Sequence, residues 1–229
     1  MTAGTGSVRE GSGRLDVHRA AGEPCGAVLL LHGGRADGLA PPPRVGLAAL
    51  RMRPFRAAIL RGLGDRPVIA ASVRYRHRGW NGRHAHAAAD ARAALDELAP
   101  LLGDAPVVLV GHSMGGRAAL AAAGHPLVAG VVALAPWCRP DDGTAHLRGR
   151  ALALLHDERD RVTDARATWV FGARAAGAGA RVRAVAMPRG GHTMLRDARR
   201  WHRLTAEFAV AILDGRPLPS PPGTLGIDP

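Results

Sequence analysis

Val107-Val108-Leu109-Val110-Gly111-His112-Ser113-Met114-Gly115-Gly116 is the stretch on which the reading of this chain turns. Four apolar residues in a row, three of them valine, suit a short strand buried on both faces. The run stops at Gly111, and an Ala-rich stretch suited to a helix begins at Met114. Between them stands Gly-x-Ser-x-Gly, in the context of strand, sharp turn and helix that gives this motif its meaning. Glycine at 111 and 115 removes the Cβ atoms that would keep strand and helix apart. The Ser113 hydroxyl is then expected to project above the sheet edge. It stands at a helix N-terminus, where unpaired N–H groups and the helix dipole favour developing negative charge.

Outward from this point, strand-like and helix-like segments alternate. Strands are expected at residues 14–20, 27–31, 68–73, 107–110, 128–135, 151–155 and 182–186, and helices at 82–102, 114–123, 164–176 and 196–213. Thr163 is the expected N-cap of the third of these helices. A further helix is expected over 44–63, with Pro54 breaking it or starting a second one. Such alternation implies βαβ units with right-handed crossovers. The fold class is α/β, a doubly wound, mostly parallel sheet with helices on both faces. The domain is placed at 14–214, between a Gly/Ser-rich tail (1–13) and a Pro/Gly-rich tail (215–229), both expected to be loose. No repeat or internal linker interrupts it.

Composition narrows the function classes. The 229 residues are 47% hydrophobic and 22% charged, enough for one sizeable core. The net charge is +12, and all 31 basic residues are Arg. They are scattered along the chain rather than gathered in one stripe, and aromatic residues make up only 3%. No specific nucleic-acid partner is expected, because bases need stacking platforms. No apolar run is long enough to cross a bilayer. The first 13 residues lack the basic start and apolar stretch of a signal peptide, so a cytoplasmic protein without a membrane partner is expected. Cys25 and Cys138 have no metal-ligand spacing and are expected to be free thiols. The oligomeric state is not indicated.

Three further stretches carry candidate chemistry. His32-Gly33-Gly34 follows the first long buried run, at the strand end where sites of open α/β sheets gather. The backbone N–H groups of Gly34 and Met114 are the candidate oxyanion donors; loss of one such donor typically costs about 2.7–4 kcal/mol. His192, on the glycine loop after the last strand candidate, is the candidate base. Its orienting acid is sought after the preceding strand, in His156-Asp157-Glu158-Arg159-Asp160-Arg161-Val162. Asp160 is the choice, Asp157 and Glu158 are read as turn carboxylates, and Asp141 and Asp142 stand in reserve. Candidate pocket residues are His32, Trp80, His112 and Trp137. Arg74, Arg76 and Trp80 would either meet a substrate acid group or serve structure alone, and the second reading is favoured.

The pieces "LLLHGG", "VGHSMGG", "LLHDERDRV" and "PRGGHT" are together similar to the α/β-hydrolase superfamily, over residues 14–213. Ser113, Asp160 and His192 stand in that superfamily's order of nucleophile, acid and base. The resemblance implies a serine hydrolase that cleaves a carboxylic ester or related acyl bond through an acyl-enzyme. Its partner would be a small-molecule acyl substrate, and no cofactor or metal would be needed. Residues 138–150, where many members insert a lid, are few, so the chain resembles the small cap-less bacterial enzymes related to dienelactone hydrolases and serine peptidases. Two departures stand out. Asp157 occupies a position usually held by glycine, and serine replaces the cysteine of dienelactone hydrolases, which points to esterase-like chemistry. An acyltransferase or thioesterase on the same triad, a silent hydrolase-like binding protein and a nucleic-acid binder are the alternatives.

Overall fold

Each apolar run becomes a strand, and the Ala- and Leu-rich stretches between them become helices. The computed structural model describes residues 8–10, 15–19, 22–43 and 46–226. In chain order the elements are β1 (Val8–Glu10), β2 (Leu15–Arg19), β3 (Gly26–Leu31), α1 (Leu47–Leu63), β4 (Val68–Val73) and α2 (His86–Leu102). They continue with β5 (Val107–His112), α3 (Met114–Ala122), β6 (Val128–Leu134), β7 (Ala151–His156), α4 (Ala165–Gly177), β8 (Arg181–Ala186), α5 (Ala198–Leu213) and β9 (Thr224–Leu225).

Among the described residues nine strands form one sheet in the order β1-β2-β4-β3-β5-β6-β7-β8-β9. The six central strands, β4 to β8 in that order, run parallel, and the outer strands pair antiparallel. Residues of α2, α3 and α4 pack on one face, and those of α1 and α5 on the other. The chain reverses direction across the sheet between β3 and β5, where Leu31 pairs with Gly111. At such a switch point two loops diverge and leave a crevice at the carboxyl ends of the strands. The loop after β3 and the turn after β5 therefore meet.

Several expectations are corrected. Pro54 lies inside α1 without ending it. An interior proline costs about 3 kcal/mol, and burial of Met52, Phe55, Ala58, Ile59 and Leu63 offsets this. The residues expected as one helix from 82 to 102 divide into a 3-10 turn at Gly82–His84 and α2, with Ala85 between them at φ 44°. The cap of α4 is Asp164, whose carboxylate accepts the Arg166 N–H at 2.9 Å; Thr163 is used elsewhere. The expected tails are not uniformly loose. Val8–Glu10 pairs with β2, and Thr224–Leu225 pairs with β8. Residues 1–7, 11–14, 20–21, 44–45 and 227–229 lie outside the described residues.

Between β6 and β7 the chain has only a 3-10 turn (Ala145–Leu147) and no lid. Cys25 and Cys138 are both free. Among the described residues no helix is long and apolar enough to cross a membrane.

Candidate active site

Ser113 sits at the turn from β5 to α3 with φ 56° and ψ −119°. A positive φ is strained for a residue with a side chain, and the neighbours hold it there. Its N–H donates to the Leu134 carbonyl at 3.0 Å, and its carbonyl accepts the Trp137 N–H at 3.1 Å. The close approach needs both glycines. A Cβ on Gly111 would stand 2.3 Å from the Gly115 oxygen, and one on Gly115 would stand 2.3 Å from the Leu31 oxygen.

The three residues chosen from sequence come together here. Ser113 Oγ lies 3.0 Å from His192 Nε2, and His192 Nδ1 lies 2.8 Å from Asp160 Oδ2. Asp160 comes from the loop after β7 and His192 from the loop after β8, so the parallel pairing of those strands brings residues 32 apart into contact. The Asp160 side chain is fully buried. Oδ1 accepts the N–H groups of Val162 and Thr163 at 2.7 and 3.2 Å. Oδ2 accepts His192, the Thr163 hydroxyl at 2.9 Å, and His156 Nε2 at 3.2 Å. Burial pushes this carboxyl up, but the bonds from His156, His192 and the Val162 N–H outweigh it and hold it well below the usual carboxylate range.

His192 is fixed from behind. His112 Nε2–H donates to the His192 carbonyl oxygen at 2.8 Å, and the two rings lie 4.8 Å apart. Burial, with His192 adding to it, pushes the His112 imidazole down to about 3, so the ring is neutral at pH 7. Asp157, expected as a turn carboxylate, also ties the two loops together. One oxygen accepts the Arg159 N–H at 2.9 Å and the other accepts the Gly191 N–H at 2.7 Å.

The candidate oxyanion donors lie on the facing side. Among the described residues, neither the Gly34 nor the Met114 N–H has a hydrogen-bond acceptor. A Cβ on Gly34 would fall 2.4 Å from Met114 Cε and 2.7 Å from the Arg78 oxygen, so glycine is required at 34 by its surroundings. A Cβ on Gly33 would lie 3.4 Å from Ser113 Cβ. The loop after β3 therefore rests directly against the nucleophile turn.

The pocket candidates separate. His32 borders a cavity of about 610 Å³ that Arg53, Arg74 and Tyr75 also line. Its ring meets Tyr75 edge-on at 4.6 Å, and burial lowers its pKa. Trp80 and His112 are 5% and 2% exposed and are engaged in structural contacts instead of facing a pocket. The Arg117 guanidinium lies 4.1 Å over the Trp80 ring and 4.8 Å from that of the half-buried Trp137, and it pairs with Asp142 at 2.7 Å. That pair takes the reserve acid Asp142 out of contention, and Asp141 is exposed. Arg76 is bound to the buried Asp90 at 2.8 Å.

Sequence reasoning missed His156, and it gave Thr163 a different task. Both stand beside Asp160 in the chain. The residue spacing alone does not show that the strand end and the following turn fold back on the carboxylate.

Comparison with known proteins agrees with this fold. Residues 28–225 match the model of the alpha/beta hydrolase family, and the chain belongs to that family. No curated protein matches it. Among solved structures it is similar to Est1E from Butyrivibrio proteoclasticus, at 12% identity and a TM-score of 0.63, over 93% of this chain and 100% of that one. It is also similar to XC6422 from Xanthomonas campestris, described as a serine hydrolase without a lid, at 16% identity and a TM-score of 0.59, over 96% of each chain. The Pyrococcus furiosus esterase PF2001 aligns at 14% identity and a TM-score of 0.65, over 89% of this chain and 87% of that one. At these identities the likeness is one of fold.

Proposed function

We propose that this protein is a serine hydrolase that cleaves a carboxylic ester through an acyl-enzyme. The observation that carries the reading is the unbroken line from Ser113 Oγ to His192 Nε2 at 3.0 Å and from His192 Nδ1 to Asp160 at 2.8 Å. Ser113 attacks the acyl carbonyl as His192 takes its proton. Asp160 holds the imidazole in the tautomer with the proton on Nδ1 and stabilises the cation that forms. The free Gly34 and Met114 amides receive the oxyanion. His192 then returns the proton to the leaving alcohol, and water attacks the acyl-enzyme by the same route in reverse. The cavity beside His32 takes part of the substrate, one residue away from the Gly33 contact with Ser113. The similarity in fold to the Pyrococcus furiosus esterase supports an ester over other acyl bonds.

A fluorophosphonate probe tests this reading. The wild type is expected to be labelled and Ser113→Ala not. Equal labelling of both, or of neither, overturns the assignment. A panel of short esters, thioesters and amides, run with and without an added alcohol acceptor, then separates the esterase from a thioesterase or acyltransferase.

A further inference from the structure

Asp160 receives two imidazoles, and the proposed chemistry uses only one. The second belongs to His156, the last residue of β7, whose side chain is fully buried. Its Nε2 lies 3.2 Å from the same Oδ2 that accepts His192 Nδ1. Its other nitrogen, Nδ1, lies 2.8 Å from the Thr168 hydroxyl on α4. We propose that His156 is a positioning residue of the triad, a neutral imidazole whose Nε2–H fixes the Asp160 carboxylate and moderates its pull on His192.

The proton positions follow from the partners. The Thr168 hydroxyl has one proton and two acceptors in reach, His156 Nδ1 at 2.8 Å and the Asp164 carbonyl at 3.5 Å. The shorter contact takes it. Nδ1 is then an acceptor, and the ring's own proton sits on Nε2, facing Asp160. Thr168, His156 and Asp160 thus form a one-way chain of donors that ends on the triad acid. Each donor polarises the next in a buried setting.

The surrounding charges leave this direction intact. On the same loop, Asp157 has its oxygens on the Arg159 and Gly191 amides. The Asp164 carboxylate caps α4. Trp169 of α4 meets the His156 ring edge-on at 6.0 Å. On the β5 side His112 is held neutral. Among the described residues, the one carboxylate in contact with His156 is therefore Asp160.

The consequence is specific. A hydrogen bond donated to a carboxylate draws off part of its charge. Without the His156 donor, Asp160 holds the His192 cation more tightly, and the enzyme becomes inactive at a higher pH. It also loses part of its aim. A hydrogen bond to a charged group corresponds to roughly a 10- to 100-fold effect.

The test uses His156→Leu, His156→Gln and Thr168→Val, with kcat/KM on a neutral activated ester measured against pH. The leucine variant is expected to lose about 10-fold or more, with its acid limb moved to higher pH. Glutamine, whose amide N–H reaches where Nε2 stood, restores most of both. Thr168→Val removes only the contact that fixes the ring's tautomer and moves both readouts the same way by less. A leucine variant whose acid limb stays put or moves to lower pH overturns the proposal. So does a glutamine variant that behaves like leucine. If near-UV circular dichroism shows the leucine variant unfolded, Thr168→Val decides, and a wild-type rate and acid limb there overturn it. The proposal rests on the serine-hydrolase reading, but the two fail separately. An unlabelled wild type in the fluorophosphonate assay removes the hydrolase reading, whereas a labelled, active wild type whose His156 variants keep its rate and acid limb removes this proposal alone.

Discussion

His112 adjoins the nucleophile, yet its ring takes no part in the chemistry proposed here. It is an internal support for the loop that carries His192, and it serves only while neutral, since it is 2% exposed and has Nδ1 without a partner among the described residues. That gives the fold an acid sensitivity with a defined window. An unfolded imidazole titrates near pH 6.5, and folding pushes His112 down to about 3. Between these values the unfolded chain binds a proton that the folded chain does not. Stability therefore falls as pH falls from about 6.5 toward 3, at no more than about 1.4 kcal/mol per pH unit from this group. Asp160 adds its own loss only below the ordinary carboxylate range. In His112→Gln an amide N–H still donates to the His192 carbonyl, and nothing titrates. Melting temperatures at pH 7, 6, 5 and 4.5 are expected to drop less steeply in that variant than in the wild type; parallel curves would show that the buried ring is not responsible. Residues at this scale differ in how far the sequence reveals them. Ser113 stands in a motif, and His192 and Asp160 each follow a strand, so their places could be inferred from order alone. His156 and Thr168 gave no such sign. Their partnership runs between β7 and α4, which nothing in the linear chain joins.

Elements were legible where burial is two-sided. The central strands match their apolar runs to within about two residues, because a strand covered on both faces has few polar positions to blur its ends. Boundaries slipped where a local signal competes with packing. Pro54 argued for a break, but α1 is held along its length by α5 and the sheet. Ala85 interrupts an Ala-rich stretch that composition alone reads as one helix. The elbow itself is the most tightly determined element, and glycine substitutions test it. A methyl group at 115 would stand 2.3 Å from the Leu31 oxygen and 2.5 Å from that of His32, so it must push β3 and its loop away from α3. Overpacking of this kind costs about 1–3 kcal/mol, and the displaced loop carries Gly34. Gly115→Ala is expected to lower the chemical-denaturation midpoint and to cut kcat/KM at least tenfold. Gly177→Ala, at the end of α4 with nothing within 4 Å of the added carbon, is expected to leave activity unchanged and to be neutral or stabilising by up to about 1 kcal/mol. If the two variants behaved alike, close approach of backbone would not be what the elbow glycine supplies.

At the scale of the whole molecule the unresolved question from sequence was the +12 charge, which looked evenly spread. Folding gathers part of it. The loops after β7 and β8 are neighbours, so Arg159 and Arg161 come beside Arg189 and Arg196 around a cavity of about 1060 Å³ that Asp157, Glu158, Asp160, Gly190 and Gly191 also line; Asp157 and Asp160 are held in hydrogen bonds, which leaves Glu158, among the described residues there, as the one exposed carboxylate against four arginines. All four arginines are exposed, and they flank the loops that carry the acid and the base. Linear distance hides this, because parallel pairing joins segments about thirty residues apart. A cationic rim beside a reaction centre raises the local concentration of anions and speeds their encounter. The effect is screened over a Debye length of about 30 Å at 0.01 M salt and about 8 Å at 0.15 M. For two esters matched in leaving group and chain length, one neutral and one bearing a terminal carboxylate, kcat/KM is therefore expected to favour the anionic ester at low salt. That preference is expected to shrink several-fold as salt rises to 0.15 M, through kcat/KM rather than kcat. Replacing Arg159, Arg161, Arg189 and Arg196 together by Gln should remove the salt dependence of the preference while the neutral ester is turned over as before. A preference that ignores salt, or one that survives the fourfold replacement, would mean that these arginines are ordinary solvated surface and that the loops carry charge for no reason connected with the substrate.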